Sequence, residues 1–546
     1  MYKFTLIAIV FNFCLISSSR ADEEFAPIVN LRHGKVRGLV RTVIDGDKKT
    51  KIYFYQGFRY GHANRFEKPT MVTSWPGDIY NATKLGNSCI QFGDQFLQNA
   101  TSESEDCLFL NVYKPVTNNE KLLPVMVWIH GGGFQIGSIF YSFYDASFLA
   151  SYGEVIVVSI NYRLGPFGFL YGGNSDAPGN VGFHDQLLGL KWVQENIKNF
   201  GGDPNKVTIF GESAGSMSVS ALVQSPLAKN LFTRAIMQSG AGANFLFDNK
   251  KTALTKTIKL SEKVNCKKED IEQTIACLKT KSIEEIKKSL PSMTEDVMFR
   301  KSFTPIFGDE VLPNDAILYK NYFNRVDVIF GNTHDEGSLF AMLYLPELMN
   351  DNNTFTMGKI HEMISNLVDK MEMKKSNEVI NYYTKTLNVS NLNEVRKVFG
   401  DIIGDCSLLC PTMLFGQRIA RDSNFANTFY SYRLDRRAVA SLAMGCPFEW
   451  MGVCHGEDVM YLFNNPALKS SPVDIKLSRE MITAWTNFAK TGHPGKIGSI
   501  EWRQVYENGQ KTSPSVMLLD DKSKMAEGIF KDLCDGFWQK IYESIN

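Results

Sequence analysis

Lys206-Val-Thr-Ile-Phe-Gly-Glu-Ser-Ala-Gly215 is the stretch that decides how this chain is read. Val207 to Phe210 is a run of apolar and β-branched residues of the kind buried in a sheet, and Gly211-Glu-Ser-Ala-Gly215 follows it as a G-x-S-x-G turn. The turn is so tight that a side chain at either glycine presses on the neighbouring strand or helix, while the serine takes strained backbone angles that expose its hydroxyl. Ser216 to Gln224 continues as a helix. Ala214 opens that helix, so its free N–H and the helix dipole point to where an oxyanion forms beside Ser213. In a chain with 42 glycines the pattern alone arises by accident; a strand before it and a helix after it supply the context it needs.

Further short apolar runs surround this one: Pro124 to Ile129, Glu154 to Ile160, Ala235 to Gln238, Val326 to Phe330 and Thr428 to Tyr432. Their continuity is that of strands covered on both faces. Between them, Asp185 to Phe200 places Leu187, Leu190, Trp192, Val193 and Ile197 on one broad helical face, and Gly201-Gly202 with Pro204 stops it. Strand and helix in alternation predict an α/β fold with a large, mainly parallel central sheet flanked by helices. Residues 250–295, rich in lysine and glutamate, read as inserted surface helices. Neither an internal repeat nor a low-complexity linker divides the chain, so residues 22–546 are expected to form a single domain.

Residues 1–21 combine an early lysine, an apolar run from Phe4 to Ile16 and a small-residue segment ending at Ala21, which reads as a secretory signal peptide. N-x-S/T sequons at Asn81, Asn99, Asn352 and Asn388 fit a secreted, extracellular glycoprotein. The C-terminal stretch 522–546 is amphipathic and charged, so no membrane span or lipid anchor is expected there. A net charge of +1 with no basic stripe argues against nucleic acid as a partner. Ten cysteines suit an oxidising compartment, and removal of Cys14 with the leader leaves an odd number, so at least one thiol lacks an intramolecular mate.

Three groups must join Ser213. His130-Gly131-Gly132-Gly133-Phe134 leaves the strand ending at Ile129, and a loop without side chains brings backbone N–H groups close to a reacting carbonyl oxygen. Gly132, Gly133 and Ala214 are the candidate oxyanion donors. Where chain order runs serine, acid, histidine, only His361, His455 and His493 leave room for an acid after Ser213. His361 lies in an amphipathic surface-helix pattern and His493 in a turn after a helix, whereas His455 sits in the loop Gly452-Val-Cys-His-Gly456, so His455 is the candidate base. Gly331-Asn-Thr-His-Asp-Glu-Gly337 follows a strand end, where catalytic groups collect in parallel sheets, and either Asp335 or Glu336 could orient the imidazole.

Taken with Ser104-Glu-Asp-Cys-Leu-Phe-Leu-Asn111, Asn161-Tyr-Arg-Leu-Gly-Pro-Phe-Gly168, Gly179-Asn-Val-Gly-Phe-His-Asp-Gln186, Phe200-Gly-Gly-Asp-Pro204 and Met237-Gln-Ser-Gly240, these segments resemble the type-B carboxylesterase and cholinesterase family of α/β-hydrolases from about Pro27 onward. The resemblance implies an α/β-hydrolase fold, Glu336 as the acid, and hydrolysis of small-molecule carboxylic esters without metal or organic cofactor. It also implies disulfides Cys89 to Cys107, Cys266 to Cys277 and Cys410 to Cys534; of the remaining Cys406, Cys446 and Cys454, a pairing of Cys446 with Cys454 is the expectation. A non-catalytic adhesion or binding protein of the same fold is the competing class, disfavoured by a complete Ser213, Glu336 and His455 set; an esterase with that set could also serve as a stoichiometric sink for organophosphates. Choline-ester hydrolysis is the alternative among enzymes. Cholinesterases carry a cation-binding tryptophan between their first two bridge cysteines, where Ile90 to Asp106 has only Phe92 and Phe96, so neutral esters are the expected substrates. Leu339 stands where those enzymes often carry an aromatic; Phe303 and Phe340 are candidate acyl-side residues, and Trp75 and Trp450 are the tryptophans that could replace the missing face.

Overall fold

In the computed structural model, described for residues 24–75, 77–92, 101–117, 121–242, 246–291, 296, 301–313, 324–423, 426–506 and 513–544, eleven strands form one central sheet. In chain order they are β1 (Leu39–Asp45), β2 (Lys48–Arg59), β3 (Phe109–Pro115), β4 (Leu123–Ile129), β5 (Ile156–Ile160), β6 (Gly202–Glu212), β7 (Arg234–Gln238), β8 (Asp327–Thr333), β9 (Phe429–Leu434), β10 (Ser515–Leu519) and β11 (Lys524–Glu527). Their spatial order is β11-β10-β9-β8-β7-β6-β4-β5-β3-β2-β1. The seven strands from β10 to β5 run parallel, and the pairs at both edges are antiparallel. The six expected apolar runs are all strands of the parallel part.

The side-chain period of two explains why those runs are apolar throughout. Val125, Val127 and Ile129 of β4 enter the core on one face, with Leu187, Leu190 and Trp192, whereas Met126 and Trp128 enter the opposite core with Phe210, Ile329 and Trp485. Burying each such side chain contributes about 1.5–3 kcal/mol.

The helices that matter to the site are α1 (Val181–Asn196), α2 (Ala214–Gln224), α3 (Lys250–Lys263), α4 (Ile271–Thr280), α5 (Ile283–Ser289), α6 (Ser338–Tyr344), α7 (Leu392–Gly404), α8 (Cys410–Asp422) and α9 (Pro472–Thr491). Helix α1 starts earlier than its apolar pattern suggests, and its expected tail, Ile197–Phe200, tightens into a 3-10 turn closed by left-handed Gly201. Helix α9 shows its caps in the sequence: Ser471 Oγ accepts from the Asp474 N–H, Pro472 occupies the first turn and Gly492 ends it. The region expected as surface helices forms α3, α4 and α5, and the Ser282–Glu285 capping box opens α5.

A π-helical turn, Asp405–Leu409, joins α7 to α8. Pro411 has no N–H to give to the preceding turn, which favours such a shift in the ladder. The run Leu392–Asp422 is apolar and long enough to cross a membrane by composition, yet 89% of its most apolar window is buried inside the protein, as in a core helix.

Four disulfides are present: Cys89–Cys107, Cys266–Cys277, Cys410–Cys534 and Cys446–Cys454. Among the described residues Cys406 is the free cysteine, and it is buried. Of the sequons, Asn81, Asn352 and Asn388 are exposed; Asn99, like residues 1–21 and Phe96, lies outside the described residues.

Candidate active site

Ser213 occupies the bend between β6 and α2 with φ 58° and ψ −125°, a conformation costly for a residue with a β-carbon. It is held by its N–H donating to the Gln238 carbonyl at 2.9 Å and by the crowding around its glycines. A β-carbon on Gly215 would collide with the Ile129 carbonyl oxygen, and one on Gly211 would come within 2.6 Å of the Gly215 carbonyl carbon. Close approach of β4, β6 and α2 therefore demands both glycines.

The loop after β4 lies against this bend. Gly132 has φ 108°, and a β-carbon there would strike the Ile136 carbonyl. His130 is buried, stacked on Tyr162 with ring centres 4.5 Å apart, and burial lowers its pKa to about 4, so it is neutral and structural. Among the described residues, no protein acceptor takes the backbone N–H of Gly132, Gly133 or Ala214. Three free donors thus remain near the serine bend.

His455 and Glu336 meet in a buried contact, Nδ1 to Oε2, of 2.6 Å. The other Glu336 oxygen accepts from the Thr333 N–H at 2.8 Å and from Asn332 Nδ2 at 3.1 Å, which fixes the carboxylate at the end of β8. Asp335 faces elsewhere. Its carboxylate accepts from the Val453 N–H at 2.9 Å and pairs with Lys397 at 2.8 Å, while its own N–H donates to the Val453 carbonyl at 2.9 Å. The two neighbouring acids, indistinguishable by position in the sequence, therefore make different contacts: Glu336 meets the imidazole and Asp335 grips the backbone of the loop that carries it. The Cys446–Cys454 bond ties the same loop from the other side.

His361 and His493 are engaged away from this cluster, with Thr384 Oγ1 at 3.3 Å and the Tyr430 hydroxyl at 2.7 Å respectively.

His455 Nε2 has no hydrogen-bond partner among the described residues, so Ser213 and His455 are not yet joined. Hydrogen bonds of this kind often tighten only in the substrate complex. Nε2 lies instead 3.0 Å from Glu212 Oε1, close but not aligned as a hydrogen bond. Burial raises Glu212 to about 8, against the attraction of His455. Burial alone would lower His455; Glu212 and then Glu336 outweigh it and raise the imidazole to about 9. The two groups therefore move upward for different reasons, Glu212 because it is buried and His455 because acids surround it. Asp458, buried against the Tyr432 hydroxyl at 2.6 Å and Gln238 Nε2 at 3.0 Å, adds a further acid to the set.

Glu212 and Asp458 were not singled out from sequence. Glu212 fills a position that G-x-S-x-G leaves free, although an acid beside the serine was itself a signal. Nothing local marks Asp458.

A small pocket opens on Ser213, lined by Gly133, Ala214, Met217, Leu246, Phe340 and Leu408 among others. Phe340 also packs on His455, with ring centres 5.2 Å apart. Phe303, expected on the acyl side, lines a separate groove beside α3, while its neighbour Thr304 lines the serine pocket. Leu339 packs with Cys446, Met451 and Cys454. Trp75 packs on Phe58 and Tyr80, and Trp450 lies beneath Arg396; neither is among the described residues lining the serine pocket. Among the described residues no group of three or more His, Cys, Asp or Glu is placed to hold a metal ion.

A serine on a strand-to-helix bend at the carboxyl side of a parallel sheet, a glycine loop with free donors and a buried Glu–His pair are features of the α/β-hydrolase class. Residues 26–538 match the model of the carboxylesterase family. The chain is 34% identical to a cholinesterase of Mus musculus, covering 96% of this chain and 88% of that one. It is 33% identical to an acetylcholinesterase of Danio rerio, with 98% and 90% covered, and 33% identical to acetylcholinesterase-1 of Trittame loki, with 99% of each covered. The chain belongs to the carboxylesterase family.

Proposed function

We propose that the protein is a secreted serine carboxylesterase that cleaves neutral carboxylic esters through an acyl-enzyme on Ser213. The buried 2.6 Å contact of Glu336 with His455, next to a strained and accessible serine, is the observation that carries this reading. Ser213 Oγ adds to the ester carbonyl carbon while His455 Nε2 takes its proton, and Glu336 holds the imidazole and balances its positive charge. The oxyanion accepts hydrogen bonds from the N–H groups of Gly132, Gly133 and Ala214. Collapse expels the alcohol, which takes the proton from His455. Water, deprotonated by the same nitrogen, then attacks the acyl carbonyl, and Ser213 Oγ leaves as the hydroxyl with release of the carboxylic acid.

The apolar lining of the serine pocket, without a tryptophan among its described residues, supports neutral esters. The similarity to cholinesterases favours choline esters as the second reading. Four disulfides and exposed Asn81, Asn352 and Asn388 support export through an oxidising, glycosylating route, with residues 1–21 as leader.

The test is an organophosphate label followed by peptide mass spectrometry, together with Ser213→Ala. The label belongs on Ser213 alone, and the variant folds but loses turnover by about 10⁴-fold or more. An active preparation labelled at another residue refutes the assignment.

A further inference from the structure

The insertion between β7 and β8 contributes most of the described lining of a groove of about 650 Å³ that shares no lining residue with the serine pocket. Helix α3 buries Ala253, Thr257, Leu260 and Ser261 in the fold. Thr252, Thr255, Lys256, Lys259 and Lys263 share a neighbouring face of the helix and, with Leu260 at its inner edge, form one wall of the groove. Lys288, at the end of α5, and Lys301 line it as well, and Glu372 is the one acid among the described lining residues.

These charges are unequally balanced. Lys256 Nζ is held by Asp248 at 2.6 Å and the Ser302 carbonyl at 2.7 Å. Lys263 Nζ donates to the Ser289 carbonyl at 2.8 Å, a neutral acceptor that leaves its charge standing. Lys259 and Lys288 are exposed and have no ion-pair partner among the described residues. The whole chain carries 59 basic and 58 acidic residues, so the excess in this groove is local and does not reflect a basic protein.

Geometry narrows the ligand. At 1.5 Å per residue, Lys259 and Lys263 are spaced about 6 Å along the helix axis, and Lys288 of α5 adds a third uncompensated charge to the same groove, so the charge is a row rather than a point. One inorganic anion reaches only part of such a row, whereas a ligand with repeated negative charges meets all of it. Lysines offer point charges rather than the planar fork that selects a single carboxylate or phosphate. The one aromatic lining residue among those described, Phe303, is buried, so the groove has no exposed platform on which nucleobases could stack. A concave trough also accepts a chain better than it accepts a flat bilayer. We propose that this groove binds a sulfated polysaccharide, independently of the ester chemistry at Ser213.

The experiment compares the full secreted chain with Lys259→Glu/Lys288→Glu and with a control pair outside the groove, Lys35→Glu/Lys524→Glu. Binding of a heparin hexasaccharide is measured by calorimetry at several salt concentrations, with phosphatidylserine vesicles as a parallel probe and thermal melting as the check on folding. The groove pair is expected to weaken hexasaccharide binding about tenfold at low salt, with a smaller effect as salt screens the contacts, while the control pair stays near wild type. Absence of wild-type binding overturns the proposal. So do equal losses in the two pairs, or vesicle binding that is tighter than hexasaccharide binding and is lost with the groove pair.

Discussion

Replacing Glu212 by Gln tests the electrostatics of the site directly. Glu212 Oε1 lies 3.0 Å from the nitrogen that must receive the serine proton. A carboxylate there stabilises the imidazolium twice, when His455 binds a proton from solvent and when it takes one from Ser213 in the transition state. Fully screened, two unit charges at that separation interact by about 1.4 kcal/mol, which is about one pH unit or a tenfold rate. Both groups are buried, so this water value is the lower limit of the effect. The sign follows. A raised His455 pKa places the acidic limb of kcat/KM above the ordinary histidine value, and the Gln variant moves its midpoint down by at least about one unit. The plateau falls at least about tenfold for the same reason, so the two profiles converge on the acidic limb and separate above it. Initial rates on a neutral aryl ester, taken from well below to well above pH 9 so that both midpoint and plateau are seen, decide the matter. A lower plateau with an unmoved midpoint, or a midpoint moved upward, refutes the charge argument.

The adjacent acids should behave differently: Glu336→Gln lowers kcat by orders of magnitude, whereas Asp335→Asn, which keeps an oxygen for the Val453 N–H, costs far less; steady-state kinetics on both variants checks this, and equal losses contradict it. Arg163 and Asp185 form a buried bidentate pair at 2.7 and 2.8 Å, only 4% and 0% exposed, so Asp185→Ala strands a charge and costs about 3–5 kcal/mol of stability, read from denaturant melts. Acetylthiocholine should give a lower kcat/KM than a neutral aryl acetate; a clear preference for the choline ester moves the protein to the second reading.

Most of what positions the site was legible because parallel strands covered on both faces must be apolar throughout, as β4 is from Val125 to Ile129. The antiparallel edge was not. Strand β2 begins with Lys48-Lys-Thr-Lys51, three exposed lysines around a half-buried threonine that carry no apolar signal, and burial begins at Ile52. The Asp45-Gly46 turn pairing β1 with β2 was the available signal. At the site, chain order narrowed eight histidines to three, but the contacts of Glu336 and Asp335 required the three-dimensional placement of a loop 119 residues downstream. Glu212 escaped notice for a related reason: its neighbour in sequence is Ser213, yet the group that gives it a role is the distant imidazole.

The distance along the chain between β6 and the histidine loop also sets a timetable. His455 lies 242 residues after Ser213, which at a synthesis rate of about 5–20 residues per second separates their emergence by roughly 12 to 48 seconds. During that interval the serine bend, its glycine loop and their unclaimed N–H groups are already outside the ribosome while the imidazole has yet to be made. A nascent chain of that length carries the serine and no imidazole to activate it, so ester cleavage waits for residues made after the late strand β9.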